Sequence, residues 1–255
     1  MAISKKIINS FYLQDKLNPE VWIKKEGTRG DNTDDYTLKP EIKTRLKKAS
    51  EIFIEYLDTD LFIHDVIFVG SLVGYNWSEF SDFDIHVVID LNEAGEDKEL
   101  YEELFRLKKS LFNAAHDITI KGFETEFYVQ DLNEKNESQG VYSLIDDKWL
   151  KVPKIEEFKI DEKKLKSKIQ QWIDIIDGVL ENAEDESIEG AVKLIKKYRE
   201  KLRKYRTCGL QREGEYSYEN LVFKYLRRNG YIGKLEEFKN KFVDKKLSLE
   251  QENKE

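Results

Sequence analysis

The stretch Asp82-Phe83-Asp84-Ile85-His86-Val87-Val88, with Gly70-Ser71 ten residues ahead of it, decides how this chain is read. Side chains alternate along a strand, so Asp82 and Asp84 point to the same side. Two carboxylates placed alike repel each other unless a cation lies between them, which suits a divalent metal carrying phosphate. The local context supports the strand. Val66 to Val69 is a short β-branched and aromatic run that stops at Gly70, and Ile85 to Ile89 is another, closed by Asp90 and Asn92. Gly70 lets the backbone turn sharply. Ser71 is expected to open a short helix as its N-cap, where backbone N–H groups can cradle phosphate.

Gly-Ser, about ten residues, then Ser-Asp-x-Asp and an apolar run resembles the signature of the polymerase-β-like nucleotidyltransferase superfamily. The resemblance calls for a third carboxylate on a neighbouring strand. Phe123 to Val129 is strand-like, and Glu126, followed by Phe-Tyr-Val, resembles that third acid. Glu124 has the same facing and is the rival candidate; the family more often carries Asp there. The resemblance implies that Asp82, Asp84 and Glu126 hold two Mg²⁺ ions, or Mn²⁺ in their place. It also implies that Gly70 and Ser71 hold the phosphates of a nucleoside triphosphate, and that Ser81 orients the turn before the first Asp.

With 255 residues the chain is long enough for one large domain or two small ones. No apolar run approaches membrane-spanning length, and the N-terminus MAISKKIINS lacks the apolar core of a signal peptide. Cys208 is the sole cysteine, which excludes an intrachain disulfide and a cysteine-based zinc site and fits a cytoplasmic location. The net charge of −8 is uneven. Residues 1–150 carry 18 Lys and Arg against 30 Asp and Glu, whereas residues 151–255 carry 25 against 21. An acidic catalytic half followed by a more basic half suits a metal–nucleotide site beside a polyanion-tolerant surface, or simply two solvated surfaces of different charge.

Periodicity sets the expected organisation. Leu17, Val21, Trp22 and Ile23 are expected to pin the N-terminal segment, and Gly27 to Tyr36 reads as a polar, mobile loop. A helix from Pro40 has the stripe Ile42, Leu46, Ala49, Phe53 and Leu57. A second, from about Asp97 to Ala115, is expected to bury Leu100, Leu104, Leu107, Leu111 and Ala115. Val141 to Ile145 and Trp149 to Val152 form a hairpin about Asp146-Asp147. The reading is therefore an α+β fold, a nucleotidyltransferase-like mixed sheet backed by helices over residues 1–153, followed by a helical domain over 154–255.

In that second part, Leu165, Ile169, Trp172, Ile176 and Leu180 form one stripe. Ile188, Ala191, Ile195, Tyr198, Leu202 and Tyr205 form the next, with Ser187 as N-cap. Helices from Tyr218 to Asn229, stopped by Gly230, and from Lys234 to Val243 follow. The basic run from Lys193 to Arg206 is a solvated helix face, or a surface from which Lys201 and Lys204 reach the triphosphate or an RNA backbone. Thr207 to Glu215 reads as a polar loop. The segment Gly214 to Tyr231 is similar to uncharacterised nucleotidyltransferases of large tailed phages.

His86 shares the facing of the two aspartates and is either a site residue or a hydrogen-bonded histidine beneath the site. Tyr75, Trp77 and Phe80 either stack on a base or cover the sheet. The resemblance implies transfer of a nucleoside monophosphate from a nucleoside triphosphate to an acceptor, with release of pyrophosphate. The acceptor is an RNA end, a protein hydroxyl or a small molecule. No membrane partner or DNA-binding module is expected. A non-catalytic nucleotide sensor or partner-binding protein on the same fold is the alternative.

Overall fold

The computed structural model describes residues 3–28, 32–136, 138–155 and 158–248. Its chain divides into two compact units, residues 12–156 and residues 1–11 with 157–255. The break falls within three residues of the expected boundary, but the first eleven residues group with the C-terminal unit. Burial is the reason: α1 (Lys5–Asn9) and the residues after it bury Ile7, Ile8 and Phe11. The Ser4 N–H donates to Tyr225 Oη at 3.0 Å, and Arg228 donates to Ser10 Oγ at 2.7 Å.

The unit of residues 12–156 opens with a two-stranded antiparallel ribbon, β1 (Trp22–Lys24) and β2 (Tyr36–Leu38). Trp22 faces inward, donating its indole N–H to the Leu72 carbonyl at 2.8 Å and stacking on Trp149. Alternation turns Ile23 outward, so it is exposed and does not pin the segment as Leu17, Val21 and Trp22 do. Part of the expected loop is ordered: Thr33–Asp35 form a 3₁₀ turn, and the Thr33 hydroxyl meets Tyr75 Oη at 2.7 Å. Residues 29–31 of that loop lie outside the described residues, as do 137, 156, 157 and the charged tail from 249.

α2 (Pro40–Leu57) begins with Pro40 in its first turn and buries Ile42, Leu46, Ala49, Phe53 and Leu57. Then come β3 (Ile63–Val69), β4 (Phe83–Ile89), α3 (Lys98–Ala115), β5 (Thr119–Ile120), β6 (Phe123–Asp131), β7 (Val141–Ser143) and β8 (Lys148–Lys151). The six strands order as β5-β6-β4-β3-β7-β8. β4 and β6, joined through α3, are parallel, and the other pairs are antiparallel. This is a mixed α+β architecture. One sheet face carries Val66, Phe68, Phe83, Ile85, Val87 and Phe127, all buried in the main core. Phe53 of α2 lies 4.9 Å, ring to ring, from both Phe112 of α3 and Phe127 of β6. Each such ring contributes about 1.5–3 kcal/mol through burial.

α3 corrects an expectation. Its buried residues are Phe105 and Phe112, whereas Leu100, Leu104, Leu107 and Leu111 are 64%, 38%, 53% and 61% exposed, and Ala115 is exposed too. The helix carries two apolar stripes about a third of a turn apart. Packing selects the one whose rings fill the space between Phe53 and Phe127. Asn113, on the same helix, clasps β6 by donating to the Phe127 carbonyl at 2.9 Å and accepting from its N–H at 3.0 Å. A side-chain amide thereby takes the place of a neighbouring strand.

The other unit contains α4 (Glu162–Glu184), α5 (Ile188–Glu213), α6 (Tyr218–Arg228) and α7 (Tyr231–Leu247). Ser187 caps α5 as expected, accepting from the Gly190 N–H at 3.1 Å. The expected loop from Thr207 is instead the last turns of α5, which continue to Glu213. Gly209 lies within that helix as a packing position: a Cβ there would come to 2.5 Å from Glu219 Cβ. On α4, Val179 is buried and Leu180 only partly. No helix among the described residues is long and apolar enough to cross a membrane.

Candidate metal centre

Strand pairing assembles the site on the sheet face opposite the main core. β3 and β4 place Val69 opposite Asp84, and β4 and β6 place Asp84 opposite Glu126. Asp82 precedes β4 by one residue and shares the facing of Asp84 by alternation. Ligand oxygens of Asp82, Asp84 and Glu126 all lie within 4.8 Å of one another, and each residue is part-buried. This triad could hold a metal ion. The alternation along β6 leaves Glu124 and Glu126 equivalent, but their surroundings separate them. Glu126 is part-buried and pairs with Asp84, whereas Glu124 is exposed at the β5 hairpin opposite Thr119 and is not among the clustered carboxylates.

The turn after β3 closes on the triad. Gly70 has φ 84° and ψ −164°, a region open essentially to glycine alone. A Cβ built on it would overlap Asp84 Oδ2 and come to 2.9 Å from its Cγ. Glycine is therefore required both for the backbone conformation and for the room that the Asp84 carboxylate occupies. Ser71 does not cap a helix. Gly70 stands at the N-cap position of a single 3₁₀ turn, Ser71–Val73, and the Ser71 hydroxyl donates to Ser81 Oγ at 2.7 Å. Ser81 is buried and also accepts from the Ser78 N–H at 2.9 Å. Ser81 thus ties the turn after β3 to the entry of β4.

The next row of side chains on this face supports the first. Ile67, His86 and Tyr128 are in register across β3, β4 and β6. The Tyr128 hydroxyl donates to Glu126 Oε2 at 2.7 Å. Burial pushes the phenol pKa well above its ordinary value of 10, followed by that hydrogen bond and by the charges of Glu126, Asp84 and Asp82. Tyr128 is therefore a constant donor that fixes the Glu126 carboxylate. Lys109 of α3 lies with Nζ 3.7 Å from the centre of the Tyr128 ring. Burial lowers its pKa, and the charge of Glu126 pulls it back up. Lys109 and Tyr128 also line a cavity of about 430 Å³ along the edge of β6, with Arg106 and Glu102.

His86 takes the structural of its two readings. Its Nδ1 lies 2.8 Å from Gln130 Oε1, and its ring is 5.0 Å from that of Tyr128. Burial lowers its pKa below 6.5, against the pull of the Gln130 bond, so the imidazole is neutral at pH 7. Among the aromatics between Ser71 and Asp82, Tyr75 is buried and Trp77 donates to the Lys16 carbonyl at 2.9 Å, so both cover the unit. Lys201 and Lys204 belong to α5 in the helical unit. There Lys204 pairs with Glu200 at 2.9 Å, and Lys201 lies 5.5 Å from the Tyr198 ring centre. Arg206, of the same run, donates to Asn220 and stacks on Phe223.

Tyr128 and Lys109 were not among the expected site residues. Tyr128 had a signal, standing two positions beyond Glu126 on the same strand face. Lys109 had none, because its approach depends on how α3 crosses β6. Tyr128→Phe removes one hydrogen bond from Glu126 and leaves the ring for Lys109. Partners of this kind typically cost 10- to 100-fold in metal affinity when removed, and a loss near 10-fold is expected in a Mn²⁺ titration. An unchanged affinity would place Tyr128 outside the centre.

Compared with family models, with curated proteins and with solved structures, the chain matches none.

Proposed function

We propose that the chain is a metal-dependent nucleotidyltransferase that moves a nucleoside monophosphate from a nucleoside triphosphate to a hydroxyl acceptor. The observation that carries this reading is the convergence of Asp82, Asp84 and Glu126 beside the Gly70-Ser71 turn. An all-carboxylate donor set favours a hard, oxygen-seeking cation, and Mg²⁺ is the abundant one. When bound, Mg²⁺ would lower the pKa of the attacking hydroxyl and neutralise the departing pyrophosphate. The polymerase-β-like signature read from Gly70 to Asp84 agrees with that chemistry.

The chain's own groups divide the work. Asp82 and Asp84 would hold the cation, which would supply the charge that binds the triphosphate. Glu126, fixed by Tyr128, completes the acceptor side and receives the hydroxyl proton. Backbone N–H groups at Gly70-Ser71 hold the β- and γ-phosphates, and the Ser71 hydroxyl joins them by turning away from Ser81. Positioning and charge neutralisation then supply most of the rate, as phosphoryl chemistry requires. The acceptor is an RNA end, a protein hydroxyl or a small molecule.

The test is thermal melting with ATP, GTP, CTP and UTP, each with and without Mg²⁺, followed by a pyrophosphate-release assay. A ligand at 100 times its dissociation constant adds about 2.7 kcal/mol, a readily measured rise. The expected result is a rise with at least one nucleotide that requires Mg²⁺, together with pyrophosphate release once an acceptor is supplied. Binding without turnover across RNA, protein and small-molecule acceptors would make the chain a nucleotide sensor. No binding of any nucleotide would overturn the reading.

A further inference from the structure

We propose that α3 is the contact seam of a symmetric dimer in which two copies of this chain pair their α3 helices antiparallel. Leu100, Leu104, Leu107 and Leu111 follow one another at steps of four, three and four, the seam spacing of two-stranded coiled coils. All four are exposed, although the same helix buries Phe105 and Phe112 in its own core. The stripe runs about 16 Å along the helix. Exposed Ile52 and Tyr56 lie on α2, which packs against α3 through Tyr56 and Phe112. Contiguous apolar surface of this kind marks an interaction face.

The charges beside the seam identify the occupant. They change sign at its middle: Glu99 and Glu103 precede it on one flank and Arg106 follows, while Lys108 stands on the other flank and Glu102 and Lys109 lie on the far side of the helix. Lys108 is taken by the Leu57 carbonyl and Lys109 by the Tyr128 ring. The Glu103 and Arg106 side chains remain well exposed and pair with each other at 3.3 Å. A two-fold axis between Leu104 and Leu107 brings Leu104 of one copy against Leu107 of the other, and Leu100 against Leu111. The same axis brings Glu103 of each copy within reach of Arg106 of the other. A parallel pairing would instead set acidic half on acidic half. The face is thus complementary to itself in one orientation, which is the condition for a closed two-fold contact.

Sedimentation equilibrium tests this across about 1–200 µM, the range in which a short seam dissociates. The mass should rise from 30.2 kDa toward twice that value. Leu104→Glu with Leu107→Glu should weaken dimerisation at least 10-fold while leaving the melting temperature of the dilute protein unchanged, because both positions are exposed. Orientation is read in a Cys208→Ser background by mixing Leu100→Cys with Leu111→Cys protein under mild oxidation. Mixed disulfides are the expected product. Self-linked Leu100→Cys dimers, a dimer that persists in the double Glu variant, or a parent that is monomeric throughout the range would each overturn the proposal.

Discussion

Asp84→Asn is expected to abolish pyrophosphate release while leaving the metal-free protein at least as stable as the parent. The reason lies in the spacing of the triad. Carboxylate oxygens within 4.8 Å of one another repel by about 1–3 kcal/mol per pair at the effective dielectric of a part-buried site. Removing one charge relieves that repulsion and keeps the shape of the side chain. The same change takes away a ligand from the proposed metal, and a loss of about 4 kcal/mol of transition-state stabilisation corresponds to roughly 10³ in rate. The Mg²⁺-dependent rise in melting temperature should vanish in parallel. Two measurements decide the matter, melting without metal and turnover with it. A variant that melts far below the parent in the absence of metal would assign Asp84 to the architecture of the sheet.

Gly70→Ala should damage both the fold and the site with a single methyl group. Two costs add at that position. An L-residue at φ 84° and ψ −164° carries strain of about 1–3 kcal/mol. The new Cβ also overlaps Asp84 Oδ2, so either the turn or the carboxylate must move. Gly122→Ala isolates the first cost. Gly122, with φ 82°, follows Lys121 in the β5–β6 hairpin turn, and a Cβ there meets nothing within 4 Å. Both variants should melt lower than the parent. Only Gly70→Ala should lose metal binding, by 10-fold or more, because a first ligand and not its support is displaced. Equal metal affinity in the two would show that Asp84 does not need the space above Gly70.

Much of this was legible along the chain. Alternation alone placed Asp82 and Asp84 on one face, and Pro40, Ser187 and Gly230 marked helix ends by mechanisms that need no partner. The exposed leucines of α3 show the limit of such reasoning. A helical period reveals an apolar stripe, but α3 has two, and only the bulk of Phe53 and Phe127 across the layer determines which one is buried. The end of α5 is a second case. Its polar, glycine-containing tail resembles a loop until Ser217 and Glu219 are seen packed against Gly209.

By itself the sequence determined the longer helices and the facing of residues along the main sheet strands, because those follow from backbone geometry two to four residues apart. It narrowed the third carboxylate to Glu124 or Glu126 and could go no further, since the two are equivalent on an isolated strand. Only the tertiary structure made the choice. The parallel register of β4 on β6 sets Asp84 beside Glu126, and Glu124, paired into the β5 hairpin, stays exposed and outside the cluster. The glycine that accommodates Asp84, the tyrosine that holds Glu126 and the lysine that covers that tyrosine were decided at the same level. Each depends on groups far apart in the chain, and no local periodicity encodes their meeting.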